Sequence, residues 1–368
     1  MTSFLNRIGL AVAAGAMAQI GSSAVPADPL APLPPTKKAQ RAPIVQRPPT
    51  VQRMATVSAP ASLRQQINAI GSAFDGKAGI AVVSLRDGWQ AGWNGTVLFP
   101  QQSCSKLLVA MTALDAVDQG RVSLSQRVSF DRGDLTLFHQ PIAQKILSGG
   151  HSSTLGELMA TAITESDNTA NDKLMRSIGG PQAVREMISR KNLGAIRFYD
   201  GERSLQSKVA GLTWSQSYSI GNAFYQARAA LPMSLRRASF ERYISDPYDG
   251  AAPSAIAGAL ARLKKGELLS APSTARLLST MGRTRTGKMR VRAALPSGWT
   301  WQHKTGTGQS LNGRIGGIND IGLLNAPDGT TYAMAIMTVP NDSDGGAQKL
   351  MQAVAKAVIA HHKAAQNY

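Results

Sequence analysis

FPQQSCSKLLVAMTALDAVDQG, residues 99–120, is the stretch from which the rest of the chain can be read. Leu107, Ala110, Met111, Leu114 and Val117 recur at helical spacing, and Gly120 is a natural stop, so a helix begins near Ser103. Its first turn is Ser103-Cys104-Ser105-Lys106. Two residues three apart on a helix lie about 60° apart around its axis. The Lys106 amine can therefore reach the Ser103 hydroxyl, a pairing that gives an acyl-transfer nucleophile its own base.

Before this helix, two strand-like segments between Ile80 and Leu98 flank Asp87-Gly88 and predict a hairpin. After it, Thr154-Leu155-Gly156-Glu157 is a capping box opening an apolar helix that runs up to Ser166. Helices are predicted around 169–190 and 253–281. Strand signals return at Trp299–Thr305, Ile315–Leu324 and Tyr332–Val339, with Pro327-Asp328-Gly329 turning between the last two. Leu350, Val354, Ala357 and Val358 give the last segment an amphipathic helix. Strands at both ends with helices between predict an α+β fold. One antiparallel sheet, built from both chain ends and flanked by helices, would stand beside a mainly helical lobe over about 101–270. A cleft between the two would hold a substrate.

The ends of the chain are of a different kind. Arg7, the apolar run Ile8–Ile20 and Ser22-Ser23-Ala24 read as an export signal over residues 1–24, with a retained anchor as the alternative. The apolar run is too short to span a bilayer comfortably. A periplasmic or secreted protein is expected. Residues 25–60 are rich in Pro and Ala, carry Lys37, Lys38, Arg41, Arg47 and Arg53, and read as a basic disordered tether. The globular domain is then 61–368, with 43% of the whole chain hydrophobic, ample for a core.

The formal charge of +18 would suit an anionic envelope or nucleic acid. No zinc-finger spacing or aromatic RNA-binding signature accompanies it, so a nucleic-acid partner is not expected. Weak envelope or membrane-surface contact through the tether is. Cys104 is the single cysteine, so no intrachain disulfide can form. It lacks a base of its own, and burial beside Ser103 is the expected role. His139, His151, His303, His361 and His362 form no zinc-binding cluster, and no GxSxG elbow occurs. No metal or other cofactor is expected, and the molecule is expected to be a monomer.

Further motifs follow the first in order: Ser166-Asp167-Asn168-Thr169-Ala170-Asn171, then Glu202-Arg203-Ser204-Leu205-Gln206, then Lys304-Thr305-Gly306-Thr307-Gly308. Ile178-Gly179-Gly180-Pro181, Arg290-Val291-Arg292 and Ala294-Leu295-Pro296-Ser297-Gly298-Trp299 accompany them. Over roughly residues 76–362 this set resembles the class A serine β-lactamases, within the larger group of penicillin-recognising acyl enzymes. Glu202 follows Ser166 at the offset of that family's deacylating glutamate.

Each residue type suits a step. Ser103 would attack a carbonyl to give an acyl-enzyme, with Lys106 as base if burial and cationic neighbours lower its pKa. Whether lysine or glutamate is the acylation base in this class is unsettled. The resemblance implies an oxyanion site formed by the backbone N–H groups of Ser103 and Thr307. It also implies that Ser166, helped by Lys304, passes a proton to the leaving nitrogen, and that Asn168 binds the acylamide side chain. Glu202 would activate the water that frees the acyl group. Thr305, Gly306 and Thr307 join Lys304 around the substrate carboxylate. Arg290 matches the place of a carboxylate-binding arginine in some members, and Arg314 is its competitor. Phe138 is either an aromatic gatepost beside the substrate or a core residue.

Two departures stand out. Gln206 replaces the usual Asn beside the hydrolytic water, and its extra methylene would displace that water and slow deacylation. Glu202 and Asp249 bracket a segment that is usually short but here includes an insertion, 207–248. Trp214, Tyr218, Phe224, Tyr225, Phe240, Tyr243 and Tyr248 fall within it. So aromatic a segment is a poor linker and should pack as one or two helices beside the cleft, limiting which substrates enter. A membrane-surface role through Arg228, Arg236, Arg237 and Arg242 is the rival reading.

Three functions compete. The first is β-lactam hydrolysis through Ser103. The second is a D-alanyl-D-alanine peptidase or penicillin-binding protein, which acylates in the same way but does not use the glutamate. The third is a non-catalytic envelope-binding protein of the same fold. Glu202 weighs against the second, and the complete reactive set weighs against the third.

Overall fold

The computed structural model describes residues 59–342 and 344–366, so the expected export signal and nearly all of the expected tether lie outside the described residues. Helix α1 (Ala61–Ser72) precedes the hairpin of β1 (Gly76–Ser84) and β2 (Gln90–Trp93). Strand β3 (Phe99–Pro100) leads through a 3-10 turn, Gln102–Ser105, into α2 (Lys106–Asp118). A ribbon of β4 (Arg127–Phe130) and β5 (His151–Thr154) encloses the short α3 (Ala143–Leu147). Then come α4 (Leu155–Thr164), α5 (Asn168–Ser177), α6 (Gly180–Arg190), α7 (Glu202–Val209), α8 (Ala223–Ala230) and α9 (Met233–Ser245). Strand β6 (Gly250–Ala251) pairs with β3, and α10 (Pro253–Lys264) and α11 (Ala271–Gly282) return towards the sheet. The chain continues through β7 (Thr300–Thr307), the small hairpin β8 (Ser310–Leu311) and β9 (Arg314–Ile315), β10 (Ile318–Asn325), β11 (Thr331–Pro340) and α12 (Asp344–Gln366).

The main sheet has the order β2-β1-β11-β10-β7, antiparallel throughout, so the first hairpin pairs with the last strand. Period-two alternation divides its side chains between two cores. Ile80, Val82, Met334 and Ile336 pack with Leu63 and Ile67 of α1 and with Met351, Val354 and Val358 of α12. Ala81, Val83, Ala333, Ala335 and Met337 face the other way, with Leu107 and Met111 of α2 and Ile256 and Leu260 of α10. An antiparallel sheet with helices on both faces is the α+β architecture expected from the sequence.

Local chemistry sets the ends of the elements. Thr154 and Glu157 cap α4 reciprocally: Glu157 N–H donates to Thr154 Oγ1 (3.2 Å) and Thr154 N–H to Glu157 Oε2 (2.8 Å). The expected helical region 169–190 divides where Gly179 and Gly180 take φ of +103° and +74°. The region 253–281 divides at Gly266, before Ser270 caps α11. Helix α1 carried no signal in the sequence. It buries only Leu63, Ile67 and Gly71, and Pro60 supplies no capping side chain. The α-helix after Ser103 begins at Lys106, later than expected, because Gln102–Ser105 winds as a 3-10 turn.

Residues 207–248 form the end of α7, a 3-10 turn at Gln216–Ser219, α8 and α9. Helix α9 buries Phe240, Tyr243 and Ile244 in the main core. From α8 only Phe224 is buried, against Leu137 and Ala210.

Candidate active site

Six described non-glycine residues have positive φ. Asn94, Asn192 and Asn312 are asparagines, which tolerate that region at little cost. The other three, Gln102 (+53°), Phe138 (+61°) and Ser166 (+63°), gather at one cleft between the sheet and the helical lobe. Strain of this kind persists only where the surroundings fix it. Gln102 is fixed on all sides. Its N–H donates to Asp249 Oδ2 (2.8 Å), and its amide nitrogen donates to Tyr243 Oη (2.7 Å) and the Gly316 carbonyl (2.9 Å). Ser103, the next residue, is thereby held at the cleft floor.

Lys106 is wholly buried and is the hub of that floor. Its Nζ donates to Ser103 Oγ (2.7 Å), to Asn168 Oδ1 (2.8 Å) and to Glu202 Oε1. Asn168 Nδ2 donates to the Leu137 carbonyl (2.8 Å), which ties this network to the loop carrying Phe138. The residue between the two motif positions has a separate task. Asp167 caps α5, accepting from Ala170 N–H (2.8 Å) and Ile142 N–H (2.7 Å), and so places Ser166 and Asn168 on either side of a helix start.

Lys304, also wholly buried, donates to Ser166 Oγ (2.8 Å) and to the Thr305 carbonyl (2.9 Å). Burial, and then the charge of Lys106, pull its pKa down to about 7. Its strand lies against the Ser103 turn. A Cβ on Gly306 would press on the Gln101 carbonyl oxygen and meet Cys104 Sγ at 3.2 Å, so only glycine allows this approach. Cys104 contacts the Lys304 carbonyl (3.5 Å), and burial pushes its thiol up to about 12, which leaves it inert at neutral pH.

Glu202 is the first residue of α7 and is buried. Its N–H donates to Asp172 Oδ1 (2.9 Å), and its Oε2 accepts from Gln206 Nε2 (3.3 Å). Gly201, at φ +87°, makes the entry: a Cβ there would meet Asp172 Oδ1 at 2.9 Å and Met175 Cε at 2.7 Å. Burial and the Glu202 charge raise the pKa of Asp172. Gln206 is engaged at both ends of its amide, because Gln309 Nε2 donates to its Oε1 (3.0 Å) and its own Nε2 reaches Gln102 Oε1 (3.3 Å).

The cleft encloses about 450 Å³. Ser103, Ser166, Asn168, Gln206, Thr305, Thr307, Arg290 and Phe138 line it, while Lys106, Glu202 and Lys304 lie beneath. Arg290 gives Nη1 to the Gly306 and Asn319 carbonyls (3.1 and 2.7 Å) and Nη2 to Thr307 Oγ1 (2.6 Å), which brings it to the β7 rim. Arg314 instead pairs with Glu241 (2.5 Å) away from this lining. Phe138 is 36% exposed and stands edge-on to Phe224, with ring centroids 5.0 Å apart. Among the described residues no group of three or more His, Cys, Asp or Glu converges as a metal site.

Several participants were not read from the sequence. Asp172 holds the Glu202 backbone, and Gln309 braces Gln206. Tyr225 and Arg228, read from the sequence only as part of the aromatic insertion and as a membrane-surface arginine, line the cavity wall. Asp172 lies within the Asn171-Asp172 continuation of the Ser166 motif, a signal that could have marked it. For Tyr225 and Arg228 no motif exists.

The family model described as "Beta-lactamase enzyme family" matches residues 62–362. The β-lactamase CTX-M-97 of Escherichia coli is 28% identical over 263 residues, spanning 72% of this chain and 76% of its own length. A β-lactamase structure from Chitinophaga pinensis superposes with a TM-score of 0.67 at 25% identity, over 82% of this chain and 99% of the other. An ancestral class A β-lactamase gives 0.65 at 27% identity, over 81% and 99%.

Proposed function

The chain belongs to the β-lactamase enzyme family, and we propose that it hydrolyses β-lactams through an acyl-enzyme on Ser103, deacylated by a water that Glu202 activates. The observation that carries this reading is one buried ammonium, Lys106 Nζ, held between the Ser103 hydroxyl and the Glu202 carboxylate. Once the ammonium has passed a proton to the Glu202 carboxylate, the neutral Lys106 amine can take the proton of the Ser103 hydroxyl, and the alkoxide results.

In this mechanism Ser103 Oγ attacks the ring carbonyl, and the developing oxyanion is met by the backbone N–H groups of Ser103 and Thr307. As the tetrahedral intermediate collapses, the amide C–N bond breaks and Ser166 Oγ delivers a proton to the nitrogen. Lys304, 2.8 Å from that oxygen, replenishes it and is reprotonated from solvent, while the proton taken from Ser103 leaves the Lys106–Glu202 pair to solvent and frees the carboxylate. Thr305, Thr307 and Arg290 receive the substrate carboxylate, and Asn168 the acylamide. For the second half, Glu202 takes a proton from the water that attacks the ester; the acyl C–O bond to Ser103 then breaks, the proton returns to Ser103 Oγ, and the acid product leaves. Gln206, already committed to Gln309, Gln102 and Glu202, holds that water less closely than a free amide would, so deacylation is the slow step.

The test is turnover of a chromogenic cephalosporin alongside labelling by a fluorescent penicillin. The wild type should turn over the first and show only transient labelling. Ser103→Ala should lose hydrolysis by about 10⁶-fold, the scale of removing a nucleophile, and should lose labelling altogether. Stable labelling without turnover would make the protein a peptidase-type acyl enzyme instead.

A further inference from the structure

The insertion brings a charge to the cavity that the reaction above does not use. Helix α8 places Arg228 in the lining, half-buried, with its guanidinium 5.8 Å from the ring centroids of both Phe224 and Tyr225. Its one recorded side-chain hydrogen bond is to Gln309 Oε1 (3.2 Å). Among the described residues no carboxylate lies within 4 Å of it, and its charged neighbour is another cation, Arg236, whose Nε is buried without a partner. The lining as a whole contains Arg228 and Arg290 but no Asp or Glu.

The two arginines differ in what they have left to give. Arg290 is anchored by three hydrogen bonds to the β7 and β10 end of the cleft. Arg228 stands on the α8 side, beside Phe138 and Tyr225, and retains most of its donors. A guanidinium that is partly desolvated, unpaired and stacked on aromatic rings is a receptor for a carboxylate.

Building on the hydrolase reading, we propose that Arg228 forms a second anion subsite, which selects β-lactams carrying an additional carboxylate on the acyl side chain. The ring carboxylate is taken at the Arg290 end. The side chain runs past Asn168 to the α8 wall, where its carboxylate meets Arg228. The insertion thereby makes a dianion the preferred substrate.

The experiment uses the full chain and two penicillins that share a phenylacetyl side chain, one with a carboxylate on the side-chain carbon next to the amide and one without. The readout is the ratio of their kcat/KM values, in wild type and in Arg228→Gln, Arg228→Lys and Arg228→Glu. The ratio should fall about ten-fold or more in Arg228→Gln, the scale of one hydrogen bond to a charged group. It should recover in part in Arg228→Lys and fall furthest in Arg228→Glu. In the wild type, added NaCl should raise KM for the carboxylated compound more steeply than for the other, a reading that needs no variant to fold. If the ratio stays within two-fold across the three variants, or both substrates lose equally, Arg228 only props the wall and the subsite is overturned while hydrolysis stands. If wild type turns over neither penicillin, the hydrolase reading falls and the subsite falls with it.

Discussion

The floor of the cleft and its α8 wall are built on opposite terms. On the floor, Lys106 and Lys304 are fully buried and bonded to named partners, and the strained Gln102 is locked from several sides. On the wall, Phe138 and Tyr225 are 36% and 49% exposed, ring contacts predominate beside the single Arg228–Gln309 side-chain hydrogen bond of α8, and α8 hangs on one buried side chain. Chemistry needs groups held within a fraction of an ångström, and the floor supplies that. Selection needs only a surface of suitable charge and shape, and the wall supplies no more. The division says where substitutions should act on rate and where on substrate choice.

The largest effect should come from the floor. Under the proposed mechanism, Glu202→Ala removes the base for the second half-reaction, so deacylation should slow by about 10²- to 10⁴-fold. Rapid-quench mass spectrometry should find some acyl-enzyme in the wild type, because Gln206 is so fully engaged, and a far longer-lived adduct in the variant. Absence of any adduct in either protein, with every β-lactam tried, would break both the role of Glu202 and the contrast drawn from it.

The floor was the legible half of the molecule. Ser103 and Lys106 meet because they are three residues apart, and Asp167 caps a helix between two motif residues, so local geometry carries much of the site. Lys304 and Glu202 come from far along the chain and were legible only through resemblance to a family. The wall had no such aid. Arg228 meets Gln309, 81 positions away, only because Phe224 seats α8 against Leu137 and Ala210, and no spacing rule encodes that. In the fold, a single antiparallel sheet drawn from both chain ends followed from the strand signals there, while its strand order did not. The start of β1 at Gly76 and the whole of α1 did not, since β1 is buried on both faces and lacks alternation, while α1 has too few apolar residues to show a period.

A second, smaller effect concerns pH. Lys304 has its pKa pulled down to about 7 from the ordinary 10.5, and in the proposed mechanism its cationic form serves both Ser166 and the substrate carboxylate. Above pH 7 the charged fraction falls, so kcat/KM should drop about ten-fold per pH unit. Stability should move the other way. Between about 7 and 10.5 the unfolded chain binds the proton that the folded one has lost, so this group makes folding more favourable as pH rises. Activity that falls while the protein becomes harder to melt sets a floor titration apart from general alkaline unfolding. Activity level from pH 7 to 9 would remove Lys304 from this role.

The smallest effect on chemistry belongs to the wall. Phe224 is buried but outside the cavity lining, and it touches the rings of Phe138 (5.0 Å), Tyr225 (5.6 Å) and Tyr218 (6.0 Å). Phe224→Ala should cost about 3 kcal/mol of local packing, read as faster hydrogen exchange at the amides of α8. Because Lys106, Glu202 and Ser166 make no direct hydrogen bond to α8, which reaches them only through Gln309 and Gln206, the deacylation rate constant should stay within two-fold while KM rises several-fold. If deacylation slowed in proportion to KM, wall and floor would be one cooperative unit, and the separation of substrate choice from chemistry would not hold in this enzyme.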